Sequence, residues 1–219
     1  MQTLTERVFE LGPPGGLFDD TVIGNLFPAS SAGARALLVY RAVHAGEVLR
    51  LKPGLYVLAA PYRKSSPHPF VLAASLHAPS HISLESALSY HGLIPEAVYQ
   101  VSSVTVFRSR DYHTPLGVFS FQRVPTRAPR AGVEALLVAR DAWAFVATPL
   151  RAIADWVYLN KDVVWKQNGL DYLTESLRIE EDDLAAISCD RLDEIVEGFR
   201  SRRVGAFLKG LKGAIGSAG

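Results

Sequence analysis

The chain has 219 residues, of which 48% are hydrophobic and 21% charged, and its 23 basic and 22 acidic side chains leave a net charge of +1. This balance is ordinary for a chain that buries a core and excludes a mostly disordered polymer, while 13 prolines and 17 glycines without a period exclude a fibrous repeat. No apolar run approaches the ~20 residues that cross a bilayer, Met1 to Glu10 lacks the apolar stretch of a secretory signal, and a single cysteine, Cys189, excludes an intramolecular disulfide framework and a thiolate zinc cluster, so the expected setting is a reducing cytoplasm.

Leu4, Val8 and Leu11 recur at helical spacing and predict a short first helix, stopped by Gly12-Pro13-Pro14-Gly15-Gly16. Asp19 and Asp20 favour the start of a second helix through capping and the helix dipole. Val22, Ile23, Leu26 and Phe27 fill that helix, and Pro28 ends it. Ser30-Ser31 can cap a third helix that runs to about Ala45, with Gly46 as its stop. Val48 to Leu51 and Leu55 to Leu58 then flank Lys52-Pro53-Gly54 as a β-hairpin.

Three helices and a hairpin in about 60 residues are the layout of a winged helix-turn-helix, whose later helix enters the major groove. Ser30, Ser31 and Arg35 stand at the N-terminal end of the third helix, where bases are usually met. Ala34, Leu38, Ala42 and Ala45 are expected to pack inward, with Tyr40 and His44 roughly opposite and Arg41 at the flank. Arg50 and Lys52 are two apart, so strand periodicity predicts that both project from one side of the hairpin toward phosphates. The same layout serves as a protein-docking module, which gives the alternative of an adaptor whose helices meet a partner instead of DNA.

Pro61 to Pro69 reads as a linker, dividing a DNA-binding domain at 1–62 from a second domain at 63–219. Phe70 to His77 is expected to be helical, as is the segment after Ser83 as N-cap, with Leu84, Ala87, Leu88 and His91 in one stripe and Gly92 as the stop. Val101–Phe107, Gly117–Val124, Ala135–Ala139 and Trp143–Ala147 predict strands, with Asp141 in a turn. A helix from Pro149 to Leu159 and further helices at 172–179, 182–187, 192–199 and 204–211 complete an α+β fold.

Charge is segregated. Arg108, Arg110, Arg123, Arg127 and Arg130 face only Asp111 between residues 101 and 130, and Arg108 and Arg110 are candidates to extend a phosphate track. Acids dominate from Asp171 to Glu197, and the tail after Arg200 is basic and amphipathic, expected to dock on those acidic helices rather than on a membrane.

Ile82-Ser83-Leu84-Glu85-Ser86-Ala87-Leu88-Ser89-Tyr90-His91-Gly92-Leu93-Ile94-Pro95-Glu96, followed by Val101-Ser102-Ser103-Val104-Thr105, resembles the AbiEi-type antitoxins of type IV toxin–antitoxin systems. Gly46 to Tyr56 and Ala147 to Leu159 are similar to the same family, which usually starts the latter helix Pro-Glu-Lys where this chain has Pro149-Leu150-Arg151. The resemblance implies a two-domain transcriptional repressor of an abortive-infection, phage-defence operon. Its winged helix would bind inverted repeats in double-stranded DNA of its own promoter, and its second domain would support cooperative repression and counteract a nucleotidyltransferase-like toxin.

The residues point to no enzyme. His77 and His81 have helical metal spacing, but Pro79 between them breaks that helix. Glu85 and His91 are six apart on one helix and diverge, no Gly-rich phosphate loop occurs, and Cys189 follows an apolar stretch as an inert thiol. Neither a cofactor nor a metal is expected.

Overall fold

A computed structural model of the chain describes residues 3–95, 100–140, 142–167 and 169–217, so Glu96 and Asp141 fall outside it. The fold is α+β, with a small antiparallel sheet near the N-terminus and a larger mixed sheet after it. α1 (Leu4–Leu11) opens on a capping box: Thr3 Oγ accepts from Glu6 N, and the Glu6 carboxylate accepts from Thr3 N. Two helix-start donors are thereby satisfied within one turn. Gly12 closes the helix in the left-handed region. β1 (Leu17–Asp19), which sequence periodicity does not show, leads straight into α2 (Asp20–Leu26), where Asp19 accepts from Val22 N. α3 (Ala32–His44) is capped by Ser31 as expected, with β2 (Val48–Lys52) and β3 (Leu55–Leu58) after it.

The small sheet has the order β1-β3-β2, antiparallel throughout. β3 is buried on both faces. Tyr56 and Leu58 join Leu4, Val8, Phe18, Ile23, Ala42 and Val48 in a small core under α1–α3, whereas Leu55 and Val57 join the large core of the rest of the chain. The two-residue period of a strand thus splits β3 between two cores. Leu51, Leu55 and Val57, which precede the boundary expected at 62/63, pack with residues that follow it. Pro61 to Pro69 is likewise not a loose linker. Arg63 donates to Leu58 O at 3.2 Å and Ser66 Oγ at 3.0 Å, and Pro67 lies so close to Gly15 that a Cβ there would sit 2.6 Å from it.

Beyond it come α4 (Pro69–Leu76), β4 (Ser80–Ile82), α5 (Leu84–Tyr90), β5 (Gln100–Thr105), β6 (Arg110–Thr114), β7 (Gly117–Arg123), β8 (Val133–Ala139), β9 (Ala142–Ala147) and α6 (Pro149–Leu159). The larger sheet runs β6-β7-β5-β4-β9-β8. β4–β5, β6–β7 and β8–β9 pair antiparallel, and β4–β9 and β5–β7 pair parallel. β4 and β6 were not foreseen: β4 is three residues long, and β6 carries Arg110, Asp111 and His113, which do not alternate as a half-buried strand should.

α7 (Gly169–Asp171) runs into a π-helical segment, Tyr172–Ser176, in which Leu177 N donates to Tyr172 O, so the helix expected over 172–179 is wider than an α-helix and shorter at its end. α8 (Glu181–Ala185), α9 (Leu192–Phe199) and α10 (Arg202–Ser217) follow. α10 packs on α6, α9, α7 and α8, in line with the docking expected for the tail. Among the described residues no helix is long and apolar enough to cross a membrane.

Gly132 fixes how the segment between β7 and β8 approaches α6 and α9. Its φ is +65°, and a Cβ there would lie 2.6 Å from Ile195 Cδ1 and 2.8 Å from Arg151 Cβ. Gly132→Ala is therefore expected to cost at least ~2 kcal/mol, from overpacking together with a left-handed backbone. A urea melt with an unchanged midpoint would contradict that packing.

Candidate nucleic-acid interface

α3 presents two unlike faces. Ala42 is buried, and Leu38, Val39 and Val43 pack against the small core. Gly33, Ala36, Leu37, Tyr40, Arg41 and His44 are exposed, with Tyr40 at 65% and Leu37 at 45%. The inward face therefore differs from the expected one: Leu38 and Ala42 hold their places, but Ala34 and Ala45 are exposed. The tyrosine and histidine rings stack one turn apart, at 5.9 Å between centroids, which stiffens the outer face.

At the start of α3 the candidate side chains are already engaged. Ser31 Oγ accepts from Ala34 N at 3.2 Å. Arg35 turns back on the helix start, its Nη1 donating to Ser30 O at 2.6 Å. Ser30, Ser31 and Arg35 thus form one local unit that shapes the end of the helix.

The hairpin departs from expectation at one residue. Arg50 lies opposite Tyr56 and Lys52 opposite Leu55, with a bulge that leaves Leu51 as the extra residue. One inserted residue reverses the alternation beyond it. Arg50 consequently shares the side of Tyr56 and remains exposed. Lys52 shares the side of Leu55, which packs in the large core, and its Nζ donates to Ser75 O at 3.1 Å and Leu76 O at 2.7 Å. These are carbonyls at the C-terminal end of α4, where a cation is favoured by unsatisfied acceptors and by the dipole. The expectation that both cations project together is corrected, and Lys52 instead joins the hairpin to α4. At the hairpin turn the Asp20 carboxylate lies so near Gly54 that a Cβ there would be 3.0 Å from Oδ2. Burial pushes the Tyr56 phenol up, and Asp20 adds to that while Arg50 opposes it.

Arg110 opens β6 and Arg108 lies two residues before it, both exposed. β6 lies beside β2, which brings this basic stretch to the hairpin. Arg110 Cζ stands 5.6 Å from the centre of the Tyr112 ring. Burial holds the His77 imidazole below its ordinary value, and the nearby charges of Arg110 and Lys52 lower it further. Lys52 and Arg110 therefore belong to one region, around His77, whereas Arg50 lies on the other side of the hairpin. Against this, residues 1–62 carry five basic side chains (Arg7, Arg35, Arg41, Arg50, Lys52) and five acidic ones (Glu6, Glu10, Asp19, Asp20, Glu47), so the field there is local rather than global.

A buried polar cluster in the second half escaped the sequence reading. Arg151 and Asp155 are both fully buried, with Nε donating to Oδ1 at 3.0 Å. Ser83 Oγ donates to Asp155 Oδ2 at 2.7 Å, and His81 Nε2 lies 3.2 Å from the same oxygen. Ser83 sits at the N-cap of α5 as expected, yet makes no capping bond, because its hydroxyl serves Asp155. Burial by itself pushes the Asp155 carboxyl up, but the Arg151 guanidinium with His81 and Ser83 more than offsets it and holds it below its ordinary value. The available signal was Arg151 and Asp155 at i, i+4 on a predicted helix. His77 and His81 do not converge on a metal: His77 packs 5.0 Å from the Phe121 ring centre, while His81 turns to Asp155. Among the described residues no group of three or more His, Cys, Asp or Glu side chains could hold a metal ion.

Leu137 and Trp143, paired across β8 and β9, are exposed at 55% and 63%. Such a pair at a sheet edge is the kind of apolar surface that protein contacts use. No protein-family model matches the chain, and no curated protein matches it.

Proposed function

We propose that residues 1–62 form a winged helix-turn-helix that binds double-stranded DNA. We further propose that the chain is an antitoxin and autorepressor of a type IV toxin–antitoxin operon, acting on inverted repeats in its own promoter and counteracting a nucleotidyltransferase-like toxin. The observation that carries the DNA-binding reading is the exposed face of α3 beside a hairpin whose Arg50 stays free at the surface. A helix with one face in a small core and the other open suits insertion into a groove. Arg110, on a strand next to β2, and Arg108, two residues before it, would add phosphate contacts. The antitoxin assignment rests on the motif resemblance alone.

Binding is tested by fluorescence anisotropy with a duplex from the region upstream of the chain's own reading frame, over a salt series. Arg50→Ala is expected to weaken binding to all sequences and to lower the salt slope by about one unit. Lys52→Ala is expected to leave the slope unchanged and lower the melting temperature, because its amine holds α4. Tyr40→Ala and Arg41→Ala are expected to cost ~1–3 kcal/mol on the specific duplex and little on a scrambled one. A protein that retains neither duplex at low salt would end the DNA-binding reading.

Exposed Leu37 and Tyr40 on α3, with the balanced charge of residues 1–62, favour a second reading, in which this face docks a protein partner. Co-purification with the product of an adjacent nucleotidyltransferase-like gene, in a form without duplex affinity, would favour that adaptor.

A further inference from the structure

A cavity of about 80 Å³ opens between β4, β5, β9 and the segment that joins β7 to β8. Its walls are mainly apolar and branched, with Val104, Val106, Val124 and Phe145 among them, and no Asp or Glu lines it. Arg130 stands among the lining residues with its guanidinium 3.7 Å from the centre of the Phe145 ring. A guanidinium stacked on an aromatic face keeps its in-plane N–H groups free for a planar anion, with little rotamer freedom left to lose.

Arg151 also lines the cavity. It is wholly buried, and although Nε and Nη1 are bonded to Asp155, Ala128 and Ala131, its Nη2 has no partner. That nitrogen has almost no accessible surface, so the packing around Arg151 shields it from the cavity. The Asp155 carboxylate is already taken up by Arg151, His81 and Ser83. The cavity therefore combines apolar walls with one accessible guanidinium, that of Arg130.

Size restricts the occupant. An apolar cavity of ~150 Å³ accepts benzene, so about 80 Å³ suits a smaller aliphatic group. We propose that this cavity binds a small branched aliphatic carboxylate, with the branched chain inside against the valines and the carboxylate at the mouth, held by Arg130. The site is separate from the DNA-binding reading and does not depend on it.

The test titrates the full chain with isovalerate and, in parallel, with its neutral amide, isovaleramide, followed by backbone amide NMR shifts. Isovalerate is expected to give saturable shifts around the cavity with a midpoint on the order of millimolar, as befits so few heavy atoms. The amide should bind at least about tenfold more weakly, since it lacks the charge-assisted bonds. Arg130→Gln, an exposed position that leaves the core intact, should reduce isovalerate binding about tenfold and leave the amide unchanged. Val106→Phe should abolish both by filling the space, its fold checked by thermal melting. Absence of saturable shifts, equal binding of acid and amide, or indifference of isovalerate to Arg130→Gln would each overturn the proposal.

Discussion

Ending the chain after Arg200 is expected to leave no cooperatively folded protein at 25 °C. α10 contributes Val204, Phe207, Leu208 and Leu211, all fully buried. Burying one such side chain stabilises by ~1.5–3 kcal/mol, so the four together contribute ~6–12 kcal/mol as an upper estimate. That is comparable to the whole stability of a typical domain, ~5–15 kcal/mol. Arg203 adds a specific lock. Its Nη1 donates to Val157 O at 2.6 Å and to Asn160 O and Val163 O at 2.9 Å, and Nη2 donates to Tyr158 O at 3.1 Å. These carbonyls lie at the C-terminal end of α6 and just beyond, where acceptors lack helical partners. Trp165 meets Phe207 edge-on at 5.2 Å, and a Cβ on Gly210 would come within 2.3 Å of the same indole. Circular dichroism melts of the truncated and full chains provide the check. A truncated chain that melts cooperatively within a few degrees of the full one would show that α10 is dispensable.

Asp155→Ala carries the second large effect. It leaves the fully buried Arg151 guanidinium without its counter-charge and deprives Ser83 and His81 of their shared acceptor. Breaking a buried pair by removing one partner typically costs ~3–5 kcal/mol. The double change Arg151→Met/Asp155→Leu is expected to recover much of that loss, because neither charge is then stranded. Urea melts of the parent and the two variants decide the point; an Asp155→Ala protein as stable as the parent would show that Asp155 is not needed. The pH dependence has a definite sign. The folded-state pKa of Asp155 is depressed, so its contribution is fully present above the unfolded carboxyl value of ~3.9 and is lost as pH falls through the lower folded value. The parent should therefore lose stability below about pH 4 more steeply than the double variant.

Much of the fold was legible because helix ends are local chemistry. Gly12, Asp19, Ser31 and Gly92 mark their termini through backbone conformation or capping bonds to residues within a turn, and Pro149 opens α6 at its first position as its fixed φ favours. β5, β7, β8 and β9 were readable from their apolar content. β1, β4 and β6 were not, being short or polar and held by partners far along the chain.

The candidate interface divides in the same way. Tyr40, Arg41, His44 and Arg50 are exposed where helical and strand periods put them, whereas Lys52 and Arg35 are drawn into contacts that no spacing rule shows. By itself the sequence determined the capped helices, most strands and the α+β class, because capping and side-chain periodicity act over a few residues. The tertiary structure decided where Lys52 points, that β3 serves two cores, and that Arg151, Asp155, His81 and Ser83 form one buried cluster. One bulged residue reverses the side of everything after it, and a buried charge is placed by partners some seventy residues distant in the chain.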